Sequence, residues 1–162
     1  MPCPCCGEDL RVIGSRKRKL KKSCGQIKIL IIRRLQCTVC RRIHHELPDC
    51  LVPYKRYESV CIEEVITNDS SSLSVAADEA TLYRIRKWFF IQVPNLLGAL
   101  KSIVLQLRQV LVKEQSELSL PAHHRIGLYV GKSPGWLART VRAVVNTNLW
   151  VHTRFAFLSG SS

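Results

Sequence analysis

Apolar positions in the first fifty residues come in short runs broken by cations, whereas in the last hundred they recur every three or four residues. The first pattern predicts strands and the second helices. Leu10-Arg11-Val12-Ile13-Gly14 predicts a first strand, and Ser15 to Gly25 a basic stretch ending in a turn. Gln26 to Cys37 (QIKILIIRRLQC) predicts a long second strand whose apolar run exceeds strict alternation, so both faces are expected to be partly covered. Arg41 to Leu47 predicts a third strand, and Pro48 and Pro53 mark the exit from it.

Glu58–Thr67 predicts a short amphipathic helix with Val60, Cys61, Val65 and Ile62 as its apolar positions, and Asn68 to Ser72 breaks it. Leu73–Ala77 follows, and Asp78 is placed to cap a helix over Glu79–Phe90, with Leu82, Ile85 and Phe89 on one face. Glu79 in the first turn suits the helix dipole. Past Pro94, Asn95–Glu114 predicts a separate long helix with a wide stripe of Leu96, Leu97, Leu100, Ile103, Val104, Leu107, Val110 and Leu111. Such a stripe packs in a core or forms a homodimer seam. Leu118–Gly135, with two prolines and three glycines, predicts a loop, and Trp136–Leu149 a last helix with Leu137, Val141, Val144 and Val145 inward. The tail from Trp150 to Leu158 mixes aromatics with His152 and Arg154.

Cysteine spacing changes the reading of the β region. Cys3/Cys6 and Cys37/Cys40 are two C-x-x-C pairs separated by 30 residues. Tetrahedral Zn²⁺ needs four soft ligands, and two such turns supply two pairs of thiolates. The proline before and the glycine after the first pair favour a tight turn. A thioredoxin-like redox motif needs a strand before its C-x-x-C, and none precedes Cys3. A disulfide framework fits poorly with the irregular Cys24, Cys50 and Cys61 and with the absence of a signal pattern. The gap is longer than the roughly 15–20 residues of common zinc motifs, so an extended hairpin must fill it. Cys5 is a competing ligand whose use would break the two-residue spacing. His44 and His45 are substitute ligands or, more simply, solvent-facing or strand residues.

The expected fold is therefore α+β: a small β zinc ribbon over 1–52, a helix-turn-helix over 53–93 and a C-terminal helical region over 94–162. Residues 1–56 carry 14 Lys/Arg against 4 Asp/Glu and residues 57–162 carry 11 against 8, so +10 of the net +13 falls on the ribbon. This asymmetry points to a polyanionic partner. No uncharged apolar run approaches 18 residues, so no membrane span is expected. Reduced, metal-bound cysteines suit the cytoplasm.

Glu58–Thr67, Leu73–Ala77 and Glu79–Phe90 follow the order of a helix-turn-helix. Thr81-Leu82-Tyr83-Arg84-Ile85-Arg86-Lys87-Trp88-Phe89 is similar to the recognition helix of homeodomain-like bacterial helix-turn-helix regions, which commonly read T-hydrophobic-Y-R-W-x-x-x-F. The whole resembles the N-terminal region of zinc-ribbon insertion-sequence transposases. It looks more closely like an uncharacterised bacterial family that opens with C-P-x-C-G. That family carries R-R-L-x-C-x-x-C-x-R-I-H-H-E-L-P-D, here Arg33 to Asp49, and Y-K-R-Y, here Tyr54 to Tyr57. The tail Asn146 to Leu158 is similar as well. The resemblance implies a zinc-binding protein associated with mobile elements and carries no established activity.

Two-metal strand transfer needs about three carboxylates, and beyond Ala80 only Glu114 and Glu117 are acidic, so no transposase core and no enzyme is expected. Gly127-x3-Gly131-Lys132-Ser133 is one residue short of a phosphate-binding loop, and His123-His124-Arg125 reads as solvated loop. The expected function is zinc-dependent DNA binding, regulatory or accessory to a mobile element. Arg16, Lys17, Arg18, Lys19, Lys21 and Lys22 would contact phosphates, and Thr81, Tyr83, Arg84 and Lys87 would read bases. The alternative is a zinc-ribbon interaction module binding RNA or a protein complex.

Overall fold

The computed structural model describes residues 2–68, 72–107, 120–150 and 157–158. Strands β1 (Leu10–Lys21), β2 (Ile27–Cys37) and β3 (Ile43–Glu46) form an antiparallel sheet, and a short β4 (Phe157–Leu158) joins β3 in parallel. Among the described residues four helices follow the third strand: α1 (Ser59–Thr67), α2 (Glu79–Gln106), α3 (Ala122–Val130) and α4 (Trp136–Asn146). The fold is α+β, as the pattern predicts.

β1 does not stop at Gly14. It runs through the basic stretch, because each cation there has an apolar cross-strand neighbour: Lys17 faces Ile31, Arg18 faces Leu30 and Lys19 faces Ile29. Aliphatic stems of Lys and Arg pack on Ile and Leu while their charged ends stay wet. This long hairpin fills the gap between the cysteine pairs. A bulge between Val12 and Gly14, with Gly14 at φ 144°, bends it near the cysteine end. At the other end Gly25 (φ 83°) closes the turn and donates to the Lys22 carbonyl at 2.9 Å.

The hairpin has two unlike faces. Ile27, Ile29 and Ile31 are exposed on one, whereas Leu20 and Ile32 on the other are buried. Leu20 and Ile32 belong to the same core as Leu47, Ile62, Val65, Leu82, Phe89 and Leu137, so segments 1–52, 53–93 and 94–162 all contribute to one core.

α1 starts and ends as predicted within a residue, but Val60 is exposed and Glu63 is buried in the apolar face. Between α1 and α2, residues 68–78 span far more than the 3–4-residue turn of a helix-turn-helix. Part of this connection docks on the hairpin turn, where Ala76 donates to the Ser23 carbonyl at 2.7 Å and Val75 is buried. Asp78 caps α2 as predicted, accepting from the Thr81 N–H at 2.7 Å.

α2 corrects the expected break at Pro94. It continues through that residue to Gln106, so the boundary between 93 and 94 lies inside one helix. A proline inside a helix costs about 3 kcal/mol. The buried series Phe89, Val93, Leu96, Leu97 and Leu100 keeps its helical phase across Pro94, which itself faces solvent, and burial of those side chains outweighs the cost at roughly 1.5–3 kcal/mol each. By length and composition α2 could cross a membrane, but its apolar stripe lies in the core of this fold. Leu107 is exposed, and Val110, Leu111 and the rest of the predicted 95–114 helix beyond residue 107 lie outside the described residues.

The predicted loop over 118–135 contains α3, begun after Pro121 and ended at Gly131 (φ 85°). Gly127 sits within it, where a Cβ would make a tight 3.0 Å contact with Lys132 Cγ. His123 of this helix is half-buried and tilts against Trp136, and burial lowers its pKa. α4 begins at Trp136 with Leu137, Val141, Val144 and Val145 buried, as predicted, but ends at Asn146, three residues early, and the buried Trp136 at its start meets Phe89 edge to face at 5.6 Å.

Candidate metal centre and basic groove

The sheet's cysteine end brings both C-x-x-C turns together. Cys3 Sγ lies 3.7 Å from Cys40 Sγ, and Cys6 Sγ lies 3.5 Å from Cys37 Sγ. All four sulfurs are within 4.8 Å of one another. Zn–S bonds of about 2.3 Å at tetrahedral angles give S···S edges of roughly 3.8 Å, so the four thiols fit a tetrahedral ion. Cys3, Cys6, Cys37 and Cys40 can hold a metal. None of the eight cysteines is in a disulfide.

Local backbone makes each turn a socket. Gly7 donates to the Cys3 carbonyl at 2.8 Å, and Cys37 donates to the Arg42 carbonyl at 3.0 Å. Thr38 binds the Asp9 carbonyl through both its N–H (3.1 Å) and its hydroxyl (3.3 Å), which pins one turn to the other. Burial raises the Cys37 thiol, but backbone N–H groups of Cys40 and Val39 and the neighbouring thiols outweigh it and bring it to about 6. That thiol is poised to lose its proton to a metal.

His44 departs from the simplest expectation. It is a strand residue but fully buried, with Nε2 3.4 Å from Cys3 Sγ. It forms a second, three-residue cluster with Cys3 and Cys5. Cys5 lies apart from the four-sulfur set and accepts from Arg42 Nη1 at 3.3 Å.

The open edge of β1 forms the second feature. A groove of about 950 Å³ is lined by Arg16, Lys17, Arg18, Lys19 and Lys21 from β1, by His45 of β3, by Tyr54, Lys55, Arg56 and Tyr57, and by Thr81 and Arg84 from the first turns of α2. Its far wall exists because segment 52–58 lies along β1. Lys21 donates to the Arg56 carbonyl at 2.7 Å, Glu58 donates back to the Lys21 carbonyl at 3.1 Å, and Arg18 Nη2 donates to the carbonyls of Val52 (3.2 Å) and Lys55 (3.0 Å). Lys21 Nζ reaches Tyr57 Oη at 3.1 Å, and Lys55 Nζ sits 4.2 Å above the Trp88 ring. Burial lowers the pKa of both Arg18 and Lys55. Among the described residues no carboxylate lines the groove.

The structure thus joins most of the predicted basic residues with Thr81 and Arg84, two of the four positions predicted on α2. It separates the others. Tyr83 and Lys87 pair with each other on another exposed part of α2, at 5.9 Å from ammonium to ring, and Lys22 lies at the turn beyond the groove. Arg18 is tied to backbone carbonyls. Sequence reasoning left out Lys55, Arg56, Tyr54 and Tyr57 as groove residues, although their interleaved aromatic and basic character was a signal. Arg86 was also left out. It donates to the carbonyls of Val65 (3.0 Å) and Asn68 (3.2 Å) and so anchors α2 to the end of α1.

A four-cysteine site at one end of a β-hairpin, with a cationic groove between that hairpin and a helix start, defines a small α+β domain whose cysteines can hold a metal ion. Residues 3–85 match the family described as a domain of unknown function (DUF6431), and the chain belongs to it. The matched segment spans all four cysteines and every residue that lines the groove. No curated protein and no solved structure matches the chain.

Proposed function

We propose that the chain is a zinc-dependent DNA-binding protein, regulatory or accessory to a mobile element, and not an enzyme. The observation that carries this reading is the groove, where eight cations from three parts of the chain converge and, among the described residues, no carboxylate is part of the lining, Asp78 lying beside it at the α2 cap. Cations arranged this way repel one another unless a polyanion neutralises them. The start of α2 forms one wall, and the N-terminal residues of a recognition helix are those that meet base edges in helix-in-groove DNA binding. Thr81 and Arg84 therefore take the reading role, and the β1 and 54–57 cations take the phosphates. Zinc is the metal that suits four thiolates at these separations, and it holds the hairpin ends in register. The mobile-element association is drawn from the resemblance to zinc-ribbon transposase N-terminal regions, and the cytoplasm suits thiols kept reduced. A homodimer would use the exposed end of α2 around Leu105 and Leu107, because Leu96, Leu97 and Leu100 are occupied by the core.

The test is fluorescence anisotropy with duplex DNA across a salt series, followed by selection from random duplexes. Binding that weakens steeply with salt, with an enriched motif, supports the reading. Salt-independent or absent binding rejects it. Binding to RNA in preference to any duplex would support the interaction-module alternative.

A further inference from the structure

Beside the groove, on its side nearer the cysteines, lies a smaller recess of about 360 Å³ lined by Ser15, Arg16, Arg34, Ile43 and His45. It shares Arg16 and His45 with the groove. Strand register builds it. Gly14 pairs with Arg34 and Arg34 pairs with His45, so the three stand in one cross-strand row. Nothing lies within 4 Å of where a Gly14 side chain would begin, so the bulge leaves this part of the sheet open.

The recess gathers charge of one sign. The His45 ring is held below its ordinary pKa first by burial and then by Arg16, Arg34 and Arg18. No carboxylate lines the recess. The nearest acid along β3, Glu46, is bound by both Nε and Nη2 of Arg33, each at 2.5 Å. Arg33 lies at the position beside Arg34, and adjacent strand residues point to opposite faces. The carboxylate is thus engaged away from the recess, and among the described residues no acid lines it to offset the guanidinium charge.

We propose that this recess binds a phosphate group of the nucleic-acid strand that occupies the groove, with Arg16 and Arg34 as the donors and His45 as a third. Guanidinium forks match phosphate oxygens in plane and in spacing. A phosphate placed there opposes the guanidinium repulsion that, after burial, lowers the His45 pKa, so the anion raises that pKa as it binds. Arg16, Arg34, Arg18 and the titratable His44 are the groups that act on it. The proposal rests on the nucleic-acid reading of the groove, but the phosphate chemistry can be read without it.

The test follows the His45 ring by NMR in the zinc-loaded full chain while inorganic phosphate is added. The probe is then replaced by one oligonucleotide with either a 5′-phosphate or a 5′-hydroxyl. Phosphate should raise the ring's pKa in the parent, and Arg34→Gln and Arg16→Gln should each abolish that rise while retaining metal and the parent circular dichroism. Each variant should also flatten the slope of log K against log salt by about 1. A gain from the 5′-phosphate identifies a strand end as the source, and equal affinity identifies an internal phosphodiester; both support the recess. If the parent binds phosphate at His45 but no nucleic acid, the recess stands and the groove reading falls. If phosphate leaves His45 unmoved and Arg34→Gln keeps the parent slope while Lys17→Gln lowers it, the recess proposal is overturned and the groove reading survives.

Discussion

Gly7 and Arg41 occupy the same place in the two cysteine turns: each directly follows the second cysteine of its pair, and each has left-handed backbone, at φ 80° and 59°. Only the first turn uses the residue type that adopts this conformation without strain. A side chain at residue 7 would meet nothing within 4 Å, so the cost of Gly7→Ala is backbone strain alone. That variant should lose about 1–2 kcal/mol, read as weaker metal retention against a chelator. Arg41→Gly should retain metal at least as well as the parent, because it removes the same strain from the second turn.

The metal itself is tested at Cys37, which is buried between the two turns. Purified protein should contain about one zinc per chain. Cys37→Ser should lose the ion and unfold the cysteine end of the hairpin, since binding energy and folding energy are linked there. The core around Leu20 and Ile32 lies at the hairpin's other end and should persist, visible as retained helical circular dichroism. Full zinc content in this variant would remove the four-cysteine assignment.

The cysteine centre was legible in the sequence because its information is local: two-residue spacings fix which sulfurs point together. The groove was legible only in part. Its β1 cations stand out in the sequence, but the wall opposite depends on Arg18 reaching carbonyls of residues 52 and 55, a long-range contact with no local signal. Pro94 and the proline- and glycine-rich stretch around α3 misled for one physical reason. Local breaker rules describe an isolated chain, whereas the buried face of α2 and the packing of Ile126 settle these helices through tertiary burial.

Within the groove, the cations divide into two kinds. Lys17, Lys19 and Arg56 line it without the backbone anchorage of Arg18. Changing these three to Gln should weaken binding to all duplexes alike and flatten the log K against log salt slope by up to ~3. Arg18→Ala should instead lower stability by about 1–3 kcal/mol through its lost bonds to Val52 and Lys55, seen in denaturant titration. An unchanged salt slope in the triple variant would leave the β1 cations as a solvated strand.

On α2, neighbouring positions have opposite roles. Arg84 is exposed and its Nε donates to the Ala80 carbonyl at 3.0 Å, whereas Leu82 is buried in the core. Arg84→Ala should leave stability within ~0.5 kcal/mol of the parent and cost roughly 1–3 kcal/mol against a selected duplex, with little loss on random DNA. Leu82→Ala should destabilise by ~2–5 kcal/mol. If Arg84→Ala binds the selected motif as well as the parent does, α2 does not read bases.

Glu63 offers a test of how α1 holds the helical half together. It is buried on α1, and its carboxylate accepts from the N–H of Gly135 at 2.7 Å and of Leu137 at 3.0 Å. These are donors at the start of α4 that no residue of α4 itself can satisfy. The carboxylate also opposes the positive end of that helix. Glu63→Ala leaves both donors without this acceptor, at about 1–3 kcal/mol for each that water cannot reach. Glu63→Gln keeps one carbonyl acceptor and should lose about half as much. Thermal unfolding should therefore rank the parent above Glu63→Gln and Glu63→Ala last, with zinc content equal in all three because the cysteines lie at the opposite end of the sheet from this core. Equal stability of Glu63→Ala and the parent would show that α4 starts without help from α1.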